Sequence, residues 1–221
     1  MANKLVLITG ATGYVGGRLV QELLDASFDV RVLVRDEAKT HGHTWSQNVD
    51  VIVGDASSLH DLERALVGVD IAFYLLHSLN TGADFAAIEK QMALAFAQAA
   101  KKCDVARIIY LGGINNDSSQ SQHLSSRAQV GEALRSSGVP TIELRAGIVL
   151  GSGSASFEML RHLTHRLPIM TTPKWINNRT QPIAVRDVLW YLKESALLGT
   201  PVSGIYDVAG PDTLTYAELM Q

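Results

Sequence analysis

Cysteine is almost absent from this sequence, since Cys103 is the single one among 221 residues. An intramolecular disulfide is therefore excluded, which fits a reducing compartment, and we expect a cytoplasmic protein. The formal net charge is -3, and no basic run occurs anywhere. Nucleic acid and anionic membrane surfaces are therefore poor candidates for its partner. No apolar run approaches the roughly 18 residues that a membrane-spanning helix needs, so we expect no membrane partner either.

Aliphatic residues and glycine, in contrast, are plentiful: 47% of the residues are hydrophobic and 18 are glycine. Short apolar runs alternate with segments whose apolar residues recur every three or four positions, which predicts alternating strands and helices. Several runs are apolar on both faces, as in parallel strands that helices cover on both sides. The sequence thus predicts an α/β fold, a Rossmann-type doubly wound parallel sheet. The predicted strands are 5–9, 30–34, 49–53, 71–76, 108–111 and 141–144, and the predicted helices are 14–26, 58–66, 85–102 and 125–137.

After residue 150 this alternation becomes looser, starting with a flexible glycine- and serine-rich stretch at 151–156. We interpret residues 1–150 as the Rossmann core and residues 151–221 as a small C-terminal lobe of the same domain. The chain stops within a predicted helix that Thr215 opens, so we expect it to be truncated before a further segment. The elements predicted in this part are helices at 157–165 and 186–198 and strands at 181–185 and 204–208.

The strongest motif follows the first strand and opens the first helix, and reads Thr9-Gly10-Ala11-Thr12-Gly13-Tyr14-Val15-Gly16. Gly10 allows a tight turn, Gly13 lets a diphosphate approach the backbone, and Gly16 lets the helix pack closely on the strand. The helix N-terminus then offers unpaired N–H groups and partial positive charge to phosphate. We therefore predict a dinucleotide site made by Gly10, Thr12, Gly13, Tyr14, Val15 and Gly16.

With this glycine spacing, the sequence resembles the short-chain dehydrogenase/reductase superfamily, in particular its extended and atypical, NmrA-like branch. The resemblance covers nearly the whole chain and implies a bacterial NAD(P)H-binding protein, in which residues 1–150 are the NAD(P)-binding Rossmann core and residues 151–221 the small C-terminal substrate lobe. A homodimer is one candidate assembly. Further segments that carry the resemblance are Gly54-Asp55, Leu144-Arg145-Ala146-Gly147, Pro182-Ile-Ala-Val-Arg-Asp187 and Tyr206-Asp-Val-Ala-Gly-Pro211.

The residue after the second strand bears on the choice of dinucleotide. An arginine at this place pairs with the 2′-phosphate of NADP, whereas an acidic residue accepts hydrogen bonds from the ribose of NAD. Arg35 occupies the place, with Arg31 and Lys39 as further positive charges, and Asp36 comes one residue too late. We predict NADP in preference to NAD. The alternative, that Arg35 is an ordinary solvated charge, stays open.

The resemblance also implies roles at the ends of the other strands. Asp55 would accept a hydrogen bond from the adenine amino group, with the Ala56 N–H alongside, unless its carboxylate only caps the following helix. Gly112 would lie near the nicotinamide. The residues that would flank the adenosine ribose are Leu75, Leu76 and His77.

Active members of this superfamily carry Tyr-x-x-x-Lys on the helix after the fifth strand, and this chain does not. The matching positions read His123-Leu-Ser-Ser-Arg127. Arg127 replaces lysine as a ribose-binding cation but cannot release a proton near neutral pH. His123 is the candidate acid/base, because its ordinary pKa is near 6.5; the alternative is a helix-start residue without chemistry.

Two functions therefore remain ahead of a third, an isomerase-like enzyme that uses the bound cofactor as a transient hydride store and would normally need the same tyrosine. The first is an NADP(H)-dependent oxidoreductase that acts on a small molecule, with His123, water or a substrate group supplying the proton. The second is a dinucleotide-sensing, partner-binding protein without turnover, which the missing tyrosine favours. The scattered histidines show no metal-binding spacing, so we predict no metal.

Overall fold

The computed structural model describes residues 3–76, 85–114, 122–154, 157–158, 161–162 and 174–219. The strands, in chain order, are β1 (Leu5–Thr9), β2 (Asp29–Val34), β3 (Asp50–Val53), β4 (Ile71–Tyr74), β5 (Arg107–Gly113), β6 (Thr141–Ala146), β7 (Val149–Leu150), β8 (Arg179–Thr180), β9 (Ile183–Ala184), β10 (Gly204–Val208) and β11 (Leu214–Thr215). The α-helices are α1 (Tyr14–Asp25), α2 (Leu59–Leu66), α3 (Phe85–Lys102), α4 (Gln122–Arg135), α5 (Val185–Leu197) and α6 (Tyr216–Leu219). Short 3-10 turns lie at Glu37–Thr40 and Lys174–Asn177.

Seven strands form one sheet in the order β10-β6-β5-β4-β1-β2-β3, and every neighbouring pair in it is parallel. The chain leaves β1 toward β2 on one side and, after β3, returns to β4 on the other side of β1. This reversal creates a crevice outside the carboxyl ends of β1 and β4, where open α/β sheets bind their ligands. The prediction of a Rossmann-type doubly wound parallel sheet is confirmed.

Helices cover both faces of this sheet, and the alternation of side chains along each strand decides which core a residue joins. In β1, Ile8 belongs to an apolar cluster with residues of α1 and α5, whereas its neighbour Leu7 belongs to a second cluster with residues of α2, α3 and α4. Strand β4 is buried on both faces, which explains its apolar sequence. Within the described part of the chain, no helix combines the length and the apolar character needed to cross a membrane.

The C-terminal part of the chain adds to the main layers. Helix α5 shares the apolar cluster of α1, and β10 pairs with β6 at one edge of the sheet. Two small pairs lie outside the main sheet, β7 with β9 and β8 with β11. The prediction of one strand at 181–185 is wrong: Gln181 and Pro182 separate β8 from β9, and proline has no N–H to donate to a ladder. The division of the chain at residue 150 stays a prediction.

Helix α6 begins directly after Thr215, the residue that predicted its start. The Thr215 hydroxyl accepts from the Glu218 N–H at 3.2 Å, and the Glu218 carboxylate accepts from the Thr215 N–H at 2.7 Å. This reciprocal arrangement is a capping box, which satisfies two backbone donors at the helix start.

Candidate functional site

The glycine-rich turn lies at the reversal of the strand order, directly after β1. Gly10 has a φ of +81°, in the left-handed region, and a Cβ there would lie 2.5 Å from the Leu75 carbonyl oxygen. A Cβ on Gly16 would lie 2.2 Å from the Gly10 carbonyl oxygen, whereas a Cβ on Gly13 would meet only that same oxygen, at 3.2 Å. The fold therefore requires glycine at 10 and 16, while Gly13 leaves open space in front of the helix.

The N-terminus of α1 faces this open space. Gly13 is its N-cap, no side chain among the described residues caps it, and its first turn contains no acidic residue. Thr12 and Gly13 are exposed, and Tyr14 and Val15 are half-buried. The first N–H groups of a helix lack intrahelical partners and carry partial positive charge. The turn thus presents donors that fit the diphosphate of a dinucleotide.

Arg35 directly follows β2, as predicted, and its side chain is exposed. It forms no hydrogen bond or salt bridge within the part of the chain that the structure describes. Asp36 differs, because its carboxylate accepts from the Ala38 N–H at 3.0 Å and caps the 3-10 turn at Glu37–Thr40. The guanidinium is therefore available at this strand end, while the neighbouring carboxylate is engaged in its own turn.

Arg31 does not serve the site, and the expectation that it adds charge there is wrong. Its Nε lies 2.6 Å from the Asp50 carboxylate, and its Nη1 donates to the carbonyl oxygens of Ala65 and Val67, at 2.9 and 2.8 Å. These carbonyls lie at the C-terminal end of α2, so Arg31 completes that helix end. Lys39, in the 3-10 turn, is exposed.

Asp55 lies just past the end of β3, where Gly54 N–H donates to the Val34 carbonyl oxygen at 2.9 Å. The Asp55 Oδ1 accepts from both the N–H and the hydroxyl of Ser57, each at 2.8 Å. The Ser57 N–H, followed by the Ser57 hydroxyl, holds the pKa of the Asp55 carboxyl below its ordinary value, so it is an ionised acceptor at neutral pH. The N-cap of α2 is Ser58 rather than Asp55.

The other wall of the crevice follows β4. Leu75 is buried and donates its N–H to the Thr9 carbonyl oxygen at 3.2 Å, which continues the contact between β4 and β1. Leu76 and Ala56 are half-buried against the second apolar cluster. His77 lies outside the described residues, so its predicted place beside the ribose stays a prediction.

Strand β5 and helix α4 carry the remaining predicted residues. Gly112 is buried within β5, where a Cβ would lie 3.2 Å from the ring of Tyr110. Arg127 is half-buried in α4, and its carbonyl oxygen accepts from the Tyr110 hydroxyl at 3.1 Å. Burial raises the pKa of Tyr110 above its ordinary value, so this tyrosine holds the backbone of α4 rather than supplying a proton. His123 also lies in α4, but its side chain is not among the described ones.

A buried charged group fixes the other end of α4 to the sheet. Glu143 of β6 is 1% exposed and forms salt bridges with Arg135 of α4 and with Arg145 of its own strand. A Cβ on Gly131 would lie 2.2 Å from the Glu143 carboxylate, so a larger residue there would displace that carboxylate. The orientation of α4 thus depends on contacts from both β5 and β6.

The C-terminal segment reaches the glycine-rich turn through Tyr14 and Arg18. The Arg18 guanidinium lies 4.1 Å from the centre of the Tyr14 ring and donates to the Ser152 carbonyl oxygen at 3.2 Å. A Cβ on Gly151 would lie 2.4 Å from the Tyr14 hydroxyl oxygen, which is buried without a hydrogen-bond partner among the described residues. The first turns of α1 and the loop after β7 are therefore packed together.

Comparison with known proteins places the chain in a family. Residues 2–173 match the NmrA-like family. The chain belongs to the NmrA-like family. Among characterised relatives, a ceramide reductase from Caulobacter vibrioides is 27% identical over 224 aligned residues, which cover 100% of this chain and 69% of that protein.

Solved structures share the fold of this NmrA-like chain. The Bordetella bronchiseptica enzyme WbmG, in complex with NAD, superposes with a TM-score of 0.78 at 19% identity, covering 99% of this chain and 76% of WbmG. Triphenylmethane reductase from Citrobacter sp., complexed with NADP(H), superposes with a TM-score of 0.77 at 21% identity, covering 97% of this chain and 73% of the reductase. These likenesses concern the fold.

Sequence reasoning missed one group of residues near the glycine-rich turn of this NmrA-like chain. The indole N–H of Trp45 donates to the carbonyl oxygen of Gly17 at 2.8 Å, and the His43 ring stacks on the indole. Two signals in the sequence were available: a second glycine directly after Gly16, and a lone tryptophan in the polar segment between β2 and β3. Neither signal reveals that the two positions touch.

Proposed function

We propose that this chain binds a nicotinamide dinucleotide across the carboxyl ends of β1 to β5, prefers NADP(H), and belongs to an oxidoreductase that acts on a small organic molecule. The observation that carries the proposal is the uncapped N-terminus of α1, which lies at the reversal of the strand order, with the exposed Arg35 at the end of the neighbouring strand β2. The name of one relative, a ceramide reductase, agrees with reductive chemistry.

The diphosphate would occupy the space in front of Gly13. The N–H groups at the start of α1 donate into that space, and the end of the helix favours an anion by about 0.3–2 kcal/mol. Gly13 itself adds no side chain, and the absence of an acidic residue in the first turn avoids repulsion. Shape and charge at this turn therefore both favour a diphosphate.

The adenosine end would lie between β2 and β3. Arg35 is exposed and can form a bidentate pair with a 2′-phosphate. Lys39 adds a second positive charge, and the carboxylate of Asp36 is engaged by the Ala38 N–H. On the adenine side, the ionised carboxylate of Asp55 is an acceptor for the amino group. This distribution of charge favours NADP over NAD.

Bound in this crevice, a nicotinamide dinucleotide supplies or accepts a hydride at its nicotinamide ring. Arg127 would donate hydrogen bonds to a ribose hydroxyl. Tyr74 and Tyr110 are both buried, and burial raises the pKa of each, so neither is suited to give a proton to a substrate. The proton would come from His123, from water or from the substrate.

Calorimetric titration with NADPH and NADH, on the wild-type chain and on Arg35→Ala, tests the proposal. Loss of a charged phosphate pair costs about 1.5–3 kcal/mol, so NADPH affinity should fall about 10- to 150-fold, while NADH affinity stays within about twofold. Lys4→Ala, which removes an exposed positive charge at the amino end of β1, opposite to the carboxyl end where the crevice lies, is the matched control. Equal losses for the two dinucleotides would contradict the phosphate role, and failure of the wild type to bind either would contradict the dinucleotide site.

A dinucleotide-sensing protein without turnover is the second candidate. The sequence His123-Leu-Ser-Ser-Arg127, in place of Tyr-x-x-x-Lys, favours it. Following the absorbance of bound NADPH during a screen of carbonyl compounds separates the two. Loss of the reduced nicotinamide with any compound supports the oxidoreductase and makes His123→Ala the next variant. Tight binding without turnover across the screen supports the sensor.

A further inference from the structure

The connection between β2 and β3, residues 35–49, is folded against the protein rather than extended into solvent. Asp36 caps the 3-10 turn at Glu37–Thr40, and the Thr40 hydroxyl donates to the Glu37 carbonyl oxygen at 2.7 Å. Thr40 is only 1% exposed. The turn that carries Lys39 is therefore held by its own hydrogen bonds on one side and by burial of Thr40 on the other.

Trp45 fastens the far end of this connection to α1. Its side chain is 2% exposed in the apolar cluster that α1 and α5 share, and its indole N–H donates to the Gly17 carbonyl oxygen at 2.8 Å. The His43 ring covers the indole with a centroid distance of 4.5 Å and an interplanar angle of 16°. Trp45 is the large apolar anchor of a segment that is otherwise mostly polar.

Gly17 is the residue of α1 that His43 and Trp45 contact. A Cβ there would lie 3.2 Å from His43 Cε1 and 3.1 Å from the Ala11 carbonyl oxygen. The Gly17 N–H donates to the Gly13 carbonyl oxygen at 2.9 Å, so the anchor is one helical turn from the N-terminus of α1. The connection therefore contacts the same helix end that would bind the diphosphate.

We propose that Trp45 is a positioning residue for the recognition of a 2′-phosphate. Strand β2 holds one end of the connection just before Arg35, and Trp45 holds the other end five residues after the 3-10 turn. Because both ends of the connection are fixed, Arg35 and Lys39 are already held near the place of the adenosine 2′-phosphate. Binding then costs little conformational entropy for ordering this segment. This inference rests on the proposed function, and it adds a residue that would touch neither the phosphate nor the reacting atoms.

The test uses Trp45→Phe, which keeps an aromatic ring but removes the indole N–H. The probes are 2′,5′-ADP and 5′-AMP, which differ by the 2′-phosphate alone. Loss of preorganisation should weaken 2′,5′-ADP binding about fivefold or more and leave 5′-AMP binding within about twofold. Trp190→Phe is the matched control, because Trp190 on α5 is 52% exposed and its ring contacts that of Tyr191, and it should change neither affinity.

A double-mutant cycle separates positioning from general stability. If Trp45 acts through Arg35, Trp45→Phe in an Arg35→Ala background should lose most of its effect on 2′,5′-ADP binding. Equal weakening of both probes, or unchanged selectivity together with a lower melting temperature, would overturn the proposal and leave Trp45 as a core residue. Should Trp45→Phe fail to fold, the second variant is His43→Ala, which removes only the ring stacked on the indole. It is expected to lower the preference for 2′,5′-ADP over 5′-AMP, as Trp45→Phe would. An unchanged preference in His43→Ala would equally overturn the proposal.

The wild-type titration distinguishes this proposal from the function on which it rests. If the wild-type chain binds neither of the two probes and neither of the two dinucleotides, the proposed function itself is wrong. A wild-type chain that binds NADPH and NADH equally keeps the dinucleotide site but overturns the role of Trp45 in selectivity. Selective wild-type binding that survives Trp45→Phe overturns the present inference alone.

Discussion

Replacement of Gly16 by alanine should reduce stability because of one backbone contact. The new Cβ would lie 2.2 Å from the Gly10 carbonyl oxygen and 2.8 Å from the Gly10 carbonyl carbon, so α1 would have to move away from β1. Such overpacking costs up to about 3 kcal/mol, and alanine regains about 1 kcal/mol over glycine inside a helix. The net loss is therefore about 2 kcal/mol, or about 4–8 °C in melting temperature for a chain of this size.

The matched variant is Gly13→Ala, which should behave in the opposite way. Gly13 has a φ of −84° and a ψ of 173°, which any residue adopts, and its Cβ would meet only one atom, at 3.2 Å. As an N-cap change it should cost no more than about 1 kcal/mol. Its Cβ would, however, lie in front of the helix end, so NADPH affinity should fall about tenfold or more.

Thermal unfolding and calorimetry on the two variants provide the measurements. Gly42→Ala is the control, since nothing lies within 4 Å of a Cβ at that position, and its melting temperature should stay close to that of the wild type. A Gly16→Ala variant as stable as the wild type would refute the argument that glycine is required for close helix packing. A Gly13→Ala variant with full NADPH affinity would show that the turn does not bind the diphosphate.

Two further predictions concern buried charges. Glu143→Gln leaves Arg135 and Arg145 without their counter-ion. Because breaking a buried ion pair costs about 3–5 kcal/mol, the urea midpoint of unfolding should fall sharply. An unchanged midpoint would contradict a structural role for these salt bridges. Arg107 donates to the carbonyl oxygens of Ser195, Leu198 and Thr200 at the end of α5. Arg107→Met should therefore cost about 1–3 kcal/mol and speed amide hydrogen exchange in the last turn of α5; unchanged exchange would argue against this cap.

Much of the sheet could be predicted because its signals are local. Apolar runs bounded by turn residues placed β1 at its observed bounds and predicted β2 to β6 to within two residues at each end, although β5 extends to Gly113. The glycine-rich turn followed from its spacing, since the requirement for a bare backbone arises from atoms a few residues apart. Arg35 was placed by counting from the end of β2.

The predictions that failed, and the contacts that were missed, depend on distant parts of the chain. Arg31 has the same chemistry as Arg35, and only the packing of α2 against β2 and β3 commits it to Asp50 and to a helix end. The assignment of 181–185 to one strand failed because two different partner strands pair on either side of Pro182.

The sequence by itself determined the alternation of strands and helices, the glycine turn and the absence of the usual Tyr-x-x-x-Lys pair, because each is written in consecutive residues. Only the tertiary structure decided that α5 and β10 join the main layers, that Glu143 is a buried ion pair under α4, and that Trp45 rests on Gly17. These features arise when the crossover connections bring remote segments into van der Waals contact. A pattern read along the chain carries no information about which of many compatible surfaces will meet.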